Sequence, residues 1–470
     1  MWKRQLLLLL VFFLSFRSLH PTYTRSAGYG IDRAISWMID GQFPFIFENP
    51  AFMIGYENNI YLEYFNTIRM GGIFIGLPQE TTLGIFSGST TDFTTYNTAD
   101  FQSLFHGVSD DPARIDFANA NFLGNGALST TPLNMRAAAA DIRNPEANLL
   151  ENRNVELLAN RSFGKWQAGA GVGYGFARDE QFFKDTQNSN EERVDLFKSE
   201  FRLVLGLLIP LNTDILRNIA GSAVFTKHTL SNIASKTFNN VPAQGGYESD
   251  GAFDAGLRLR TSSSFRKSLL HTHLGYTYLN RSGRSYVTTN YVTSREGIYE
   301  RKGHRFQIGL ANEIPLTEKL SLFWGSEFFY ESFHNVYKAK AIPNVADSRN
   351  FDTTVYLIRM PLVLGIGANL TESFALRFGI RHNVVNSGNN YESSTQVSNG
   401  TIVTSRSQFL SAASSLSFGL SYFWGPLSFD WLANISLLQK GPYFVSGQIN
   451  DMALAFAVSF RYGSLISPKK

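Results

Sequence analysis

Charged residues recur at alternate positions inside otherwise apolar segments of this chain, and they are the residues most able to do chemistry. Arg377 and Arg381, for example, flank the apolar pair Phe378 and Ile380. An arginine guanidinium binds a carboxylate through two parallel hydrogen bonds, so rows of such residues suit anions or carboxylate head groups. The pattern is clearest at Lys198, Glu200, Arg202, Arg258, Arg260, Arg305, Glu327, Arg377 and Arg381.

Two interpretations of these nine residues stay open. Buried charges need partners, so the residues could form ion pairs across a shared interior and make it rigid. Alternatively, they could form a polar constriction with a mild preference for anions. Both interpretations require the charged side chains to point inward and the apolar side chains between them to point outward.

Other chemical signals are weaker. His271 and His273 share one face of a predicted strand and would bind a metal only with a third ligand, so we favour interior histidines without metal. The spacing Ser264-x-x-Lys267 falls in a predicted short turn, and nothing places a nucleophile beside a base. We therefore predict no metal, no cofactor and no enzymatic activity, with a lipid-acting enzyme as a lower-ranked alternative.

The segments that carry these residues alternate like β-strands. Near the C-terminus, Leu454, Phe456 and Val458 alternate with alanines. Successive side chains of a strand point to opposite faces, so this run has one wholly apolar face. Roughly fifteen segments of this kind recur, and 59–68, 70–77 and 81–87 are the first three. This repetition predicts an all-β chain.

The connections between the segments alternate between short and long. Seven short links separate long polar ones, which cover 88–150, 179–192, 230–249, 281–299, 333–350, 384–407 and 438–450. Short turns on one side and long loops on the other are typical of outer-membrane barrels, which expose no strand edge to hydrocarbon. The fold prediction is a single antiparallel transmembrane β-barrel of about 14–16 strands with an N-terminal hatch. A secreted sandwich or propeller is the soluble alternative.

The N-terminus differs from the rest of the chain. Residues 1–26 combine a basic start with a short apolar run and predict a cleaved signal peptide, with a retained anchor as the alternative. Residues 27–56 lack strand alternation and are predicted to form a hatch inside the barrel, with a surface extension as the alternative. The barrel is predicted over 57–470, with an extracellular insertion at 88–150.

Composition argues against a disulfide-bonded protein, a lipoprotein and a nucleic-acid-binding protein. The chain has no cysteine, so it has neither disulfide bonds nor a lipoprotein anchor. It carries 42 basic and 38 acidic residues, and removal of residues 1–26 leaves 38 of each. A neutral mature chain gives no support to nucleic-acid binding.

One tetrapeptide carries a family resemblance. Asn49-Pro50-Ala51-Phe52, placed just before the first strand, resembles the Asn-Pro-Ala element of the long-chain fatty-acid transporter family of outer-membrane barrels. The resemblance implies that Asn49, Pro50 and Phe52 belong to the hatch, and that the 88–150 insertion captures ligand. Phe52 stands where small residues are common in that family.

Together these features predict a channel in the outer membrane of a Gram-negative bacterium for passive uptake of small, hydrophobic, fatty-acid-like molecules. The predicted partners are membrane lipids, lipopolysaccharide and that ligand. The alternatives are a surface adhesin or secretion scaffold, and the lipid-acting enzyme.

Overall fold

Strands dominate the computed structural model. It describes residues 37–38, 43–53, 55–65, 68–90, 152–185, 190–211, 213, 215–238, 241–280, 282–289, 292–339, 349–395, 402–435 and 452–462. The strand segments are β1 Asn59–Phe65, β2 Ile68–Leu77, β3 Thr81–Thr90, β4 Asn152–Phe163, β5 Trp166–Asp185, β6 Asn190–Pro210, β7 Leu216–Phe238, β8 Val241–Ser249, β9 Phe253–Phe265, β10 Ser268–Asn280, β11 Gly283–Thr289, β12 Val292–Pro315, β13 Leu320–Ala339, β14 Arg349–Asn369, β15 Phe374–Thr395, β16 Ile402–Trp424, β17 Leu427–Ile435 and β18 Met452–Arg461.

These segments form one closed antiparallel sheet. Strand β1 pairs with both β2 and β18, which closes the wall. Strand β7 pairs with both β8 and β9, so β8 and β9 are two pieces of one barrel strand. Strand β12 pairs with both β10 and β11, so these two are also pieces of one strand. The eighteen segments therefore make a barrel of sixteen strands, which confirms the predicted fold class.

Burial alternates along the strands. On β13, Trp324 and Phe328 are exposed, whereas Phe323 and Glu327 are buried. A continuous outer surface of large apolar side chains would be unstable in water, so it is the lipid-facing surface of a membrane barrel. Among the described residues, no helix has the length and apolarity needed to cross a membrane.

The short links lie near their predicted places, although the one predicted at 261–267 is reduced to 266–267, and five of the long links are shorter than expected. Strand β5 continues to Asp185, and β6 begins at Asn190, so the predicted link 179–192 is mostly strand. The same correction holds for 230–249, 281–299 and 384–407, and half of 333–350 is also strand. About 9–11 tilted residues cross a bilayer. Beyond the bilayer both faces of a strand can meet water, so apolar alternation fades while backbone pairing continues.

Several sequence predictions concern residues outside the described part of the chain. The signal peptide, residues 1–26, lies there completely, and the 88–150 insertion lies there apart from its first three residues. Of the predicted hatch, Trp37, Met38 and most of 43–56 are described. They include two short 3₁₀ helices, Phe43–Phe47 and Pro50–Met53.

Candidate functional site: the barrel lumen and its N-terminal segment

The described residues of 27–56, the segment predicted to be a hatch and called the hatch below, lie inside the barrel. Phe47 packs edge-on against Phe86 of β3 with ring centroids 5.0 Å apart, and Tyr56 packs against Phe74 of β2 at 5.1 Å. Both wall residues are 1% exposed and belong to the inner face. The hatch also contacts residues of β4 to β7, β9, β10, β12 and β13, as described below. A segment reaches the inner faces of so many strands only from within the lumen.

The first attachment, which we call the Asn49 site, is made of hydrogen bonds to backbone. The Asn49 side-chain amide donates to the carbonyl of Gly221 at 3.1 Å, and its oxygen accepts from the amide of Ala51 at 3.1 Å. Asn160 of β4 donates to the carbonyls of Ala51, at 2.8 Å, and Pro50, at 3.2 Å. None of these groups titrates, and the Asn49 side chain is almost fully enclosed.

Glycines in the wall make room for the Asn49 site. Gly169 of β5 pairs with Asn160 on one side and with Gly206 of β6 on the other. A Cβ at Gly169 would lie 2.5 Å from the backbone nitrogen of Ala51. A Cβ at Gly206 would overlap the Asn49 side chain. The sequence did show glycines at spacing two from Gly169, but that pattern indicates only a strand face.

The second attachment, the Trp37 site, is a row of four inner residues on neighbouring strands. Arg260, His273, Gly309 and Glu327 face one another in register across β9, β10, β12 and β13. The Nε of Arg260 donates to the carbonyl of Trp37 at 2.7 Å, and the indole N–H donates to Glu327. The His273 ring stacks on the indole with centroids 4.8 Å apart and an interplanar angle of 21°.

Gly309 forms the floor of the Trp37 site. A Cβ there would overlap the indole ring. Glu327 is held from the wall by Gln307, whose amide donates to its second oxygen at 3.0 Å. Trp37 is 1% exposed and Glu327 is fully buried. The site therefore encloses a planar ring, with an aromatic face on one side and a carboxylate at the edge.

Phe52 lies between the two sites. It is half-buried and packs edge-on against Phe45 with centroids 5.0 Å apart. The Arg260 guanidinium lies 5.6 Å from each of these two rings. Arg260 therefore connects the aromatic part of the hatch to the Trp37 site through cation–π contacts as well as through its hydrogen bond.

The nine charged residues singled out from the sequence are spread around the inner wall. Six of them are buried there: Glu200, Arg202, Arg260, Arg305, Glu327 and Arg377. Arg258 and Arg381 are half-buried, and the Lys198 side chain lies outside the described part. The described ones lie on β6, β9, β12, β13 and β15.

The ion pairs described for these residues are local. Arg305 pairs with Glu331 directly across β12 and β13. Arg202 reaches Glu156 at 3.4 Å across the intervening strand, where Gly173 leaves space. Arg258 pairs with Glu48 of the hatch. These pairs stiffen the wall or attach the hatch to it.

His228 is a lumen residue that sequence reasoning missed. Its two ring nitrogens lie 3.2 Å from Glu200 and 3.2 Å from Asp254, and all three residues are buried. His271 and His273 also face inward, as their spacing suggested. Among the described residues, no cluster of histidine, cysteine and acidic side chains has the arrangement of a metal site.

Comparison with known proteins gives a fold likeness. No family model matches the chain, and neither does any curated protein. The toluene transporter TodX from Pseudomonas putida is 10% identical with a TM-score of 0.38, covering 94% of this chain and 98% of that one. The toluene transporter TbuX from Ralstonia pickettii is 11% identical with a TM-score of 0.38, covering 95% and 99%. CdiB from Escherichia coli is 10% identical with a TM-score of 0.39, and this chain spans 62% of its length. These likenesses are distant, at 10–11% identity, and show no shared function.

Proposed function

We propose that this protein is an outer-membrane channel for passive uptake of small, largely apolar molecules, and that its N-terminal segment is the hatch of the channel. The observation that carries the proposal is the attachment of one segment to two separate sections of the inner wall. A segment so placed obstructs the lumen until at least one attachment opens.

Release of the hatch would uncover an apolar surface for cargo. Ile46, Phe47 and Met53 pack with the inner residues Phe74 and Phe86 of β2 and β3 in one apolar cluster. Elsewhere the inner wall of an outer-membrane barrel is ordinarily polar. An apolar strip between hatch and wall would lower the cost of moving a hydrophobic molecule through a lumen that is otherwise charged.

The charged wall has a different role in this proposal. Local pairs such as Arg305 with Glu331 neutralise each other's charge within the wall. In this proposal they support the barrel and do not bind the cargo. Any selectivity for ions depends on residues such as Arg381, which is half-buried.

The test is dye uptake by Gram-negative cells that express the protein with or without residues 29–55. The lipopolysaccharide leaflet slows apolar dyes such as 1-N-phenylnaphthylamine, whose fluorescence rises when it reaches phospholipid. We expect cells with the deletion to take up the dye several times faster than cells with the full chain. Equal uptake, with the two proteins inserted at equal levels, would contradict the hatch. If cells with the deletion take up the dye no faster than cells without the protein, the result would favour an adhesin or scaffold.

A further inference from the structure

We infer that the Trp37 site is a ligand-binding site which the protein's own tryptophan occupies when the hatch is in place. Its ligand class is a planar aromatic molecule that carries an N–H or O–H donor, such as an indole or a phenol. The inference rests on the proposed function, because a ligand can enter this site only when Trp37 leaves it.

The shape of the site argues for a flat ring. The indole lies against the His273 ring on one side and directly over Gly309, where any side chain would overlap it. Ala311, Phe323 and Val363 complete an apolar border together with Met38. An aliphatic chain would leave part of this slot unfilled, and unfilled space in a packed interior loses contact energy.

The chemistry of the site argues for a hydrogen-bond donor on that ring. Glu327 is fully buried, and its Oε2 accepts from the indole N–H. A buried carboxylate that loses a hydrogen-bond partner is costly, so an occupant without a donor is disfavoured relative to one that has it. The Trp37 site thus discriminates against plain hydrocarbons.

His273 supplies a second, independent indication. It is 1% exposed, and neither of its ring nitrogens has a hydrogen-bond partner among the residues that the structure describes. The Nδ1 atom lies 3.9 Å from Glu327, beyond hydrogen-bond distance. A buried imidazole with unused nitrogens beside an acceptor carboxylate suits a ligand with a further polar substituent, which Trp37 does not have.

The inference can be tested by emptying the site. The full-length Trp37→Ala protein, purified in detergent, is titrated calorimetrically with indole and with 1-methylindole, which has the same ring system but no N–H. We expect one indole to bind, and 1-methylindole to bind about tenfold more weakly, since it lacks the hydrogen bond to a charged acceptor. Wild type should bind neither over the same concentration range.

Three further variants make the result easier to interpret. Trp37→Ala combined with Gly309→Leu fills the slot from its floor and should abolish indole binding. Phe47→Ala opens space elsewhere in the hatch, beside Phe86, and should show no preference between the two probes. Should Trp37→Ala fail to fold, Trp37→Phe keeps a ring without an N–H and should be displaced by indole.

The inference is overturned if Trp37→Ala binds indole no better than wild type does, or if it binds both probes equally. Because binding is measured in detergent, this failure is distinct from failure of the channel proposal. Dye uptake tests whether the hatch gates the lumen, whereas calorimetry tests what the Trp37 site recognises.

Discussion

The Asn49 site and the Trp37 site hold the same segment in two different ways. At the Asn49 site, backbone and amide groups of the hatch lie over Gly169 and Gly206, where no side chain would fit. At the Trp37 site, one ring occupies a slot lined by titratable side chains, Glu327 and His273. The first arrangement is specific to this backbone, while the second can be reproduced by a separate molecule. The comparison implies a fixed attachment and a releasable one.

The largest expected effect comes from crowding the fixed attachment. In Gly169→Val the new Cβ would stand 2.5 Å from backbone atoms of both Pro50 and Ala51, which cannot rotate away. We expect the hatch to detach and the single-channel conductance in planar bilayers to rise several-fold. Gly221→Ala is the matched control, since its Cβ meets nothing nearer than a carbonyl oxygen at 3.8 Å. Unchanged conductance of a correctly inserted Gly169→Val protein would show that the Asn49 site does not hold a gate.

A second prediction separates wall pairs from hatch attachments. Glu331→Ala removes the carboxylate partner of the buried Arg305 and should destabilise the barrel by about 3–5 kcal/mol. The double variant Arg305→Met, Glu331→Leu should recover most of that loss, because it removes both charges. Thermal unfolding in detergent measures both. A single variant that is no less stable than the double one would mean that this pair does not stiffen the wall.

A third prediction compares the two attachments directly through hydrogen exchange of the amides in 45–53. Asn49→Ala removes the side-chain bonds at one site, and Glu327→Gln weakens the indole bond at the other. We expect the loss at Asn49 to cost about 1–3 kcal/mol and that at Glu327 about 1 kcal/mol. Exchange should therefore accelerate more in Asn49→Ala. If exchange accelerates more in Glu327→Gln, the Trp37 site would be the fixed attachment and the Asn49 site the releasable one.

The smallest effect is expected for ion selectivity. Arg381 is half-buried on the inner wall, and Arg377 is bonded to Ser421 within the wall. Charge reversal at Arg381 should shift the reversal potential in a salt gradient slightly toward cations, and reversal at Arg377 should shift it less. If neither variant changes selectivity, the polar-constriction interpretation of these residues is wrong.

The barrel could be predicted because its determinants are local and repeated. The period-two alternation around Phe378 and Arg381 predicts which face of the sheet each side chain lies on. Short turns such as Phe423–Pro426 can be recognised because few residues separate the two alternating segments. Strand ends beyond the membrane could not be predicted, because outside the bilayer the lipid no longer imposes alternation on the side chains.

The candidate site was predictable only in part. Asn49 and Pro50 stood out by a motif, and Arg260 and Glu327 by their alternation with apolar neighbours. The partnership of Trp37, His273 and Gly309 depends on strand register across three strands, and no local pattern encodes it. The role of Gly206, which is to leave space for the Asn49 side chain, can be recognised only from the structure.

A reversible tether tests the central claim most directly. The Sδ of Met38 lies 2.7 Å from the position of a Cβ at Gly325, and the chain has no native cysteine, so Met38→Cys with Gly325→Cys introduces two lone cysteines at neighbouring positions of the hatch and the wall. We predict that oxidation of this variant lowers dye uptake by expressing cells well below that of the reduced form, and that reduction restores it. Equal uptake in the oxidised and reduced states, with the disulfide verified by mass spectrometry, would contradict a hatch that opens at the Trp37 site.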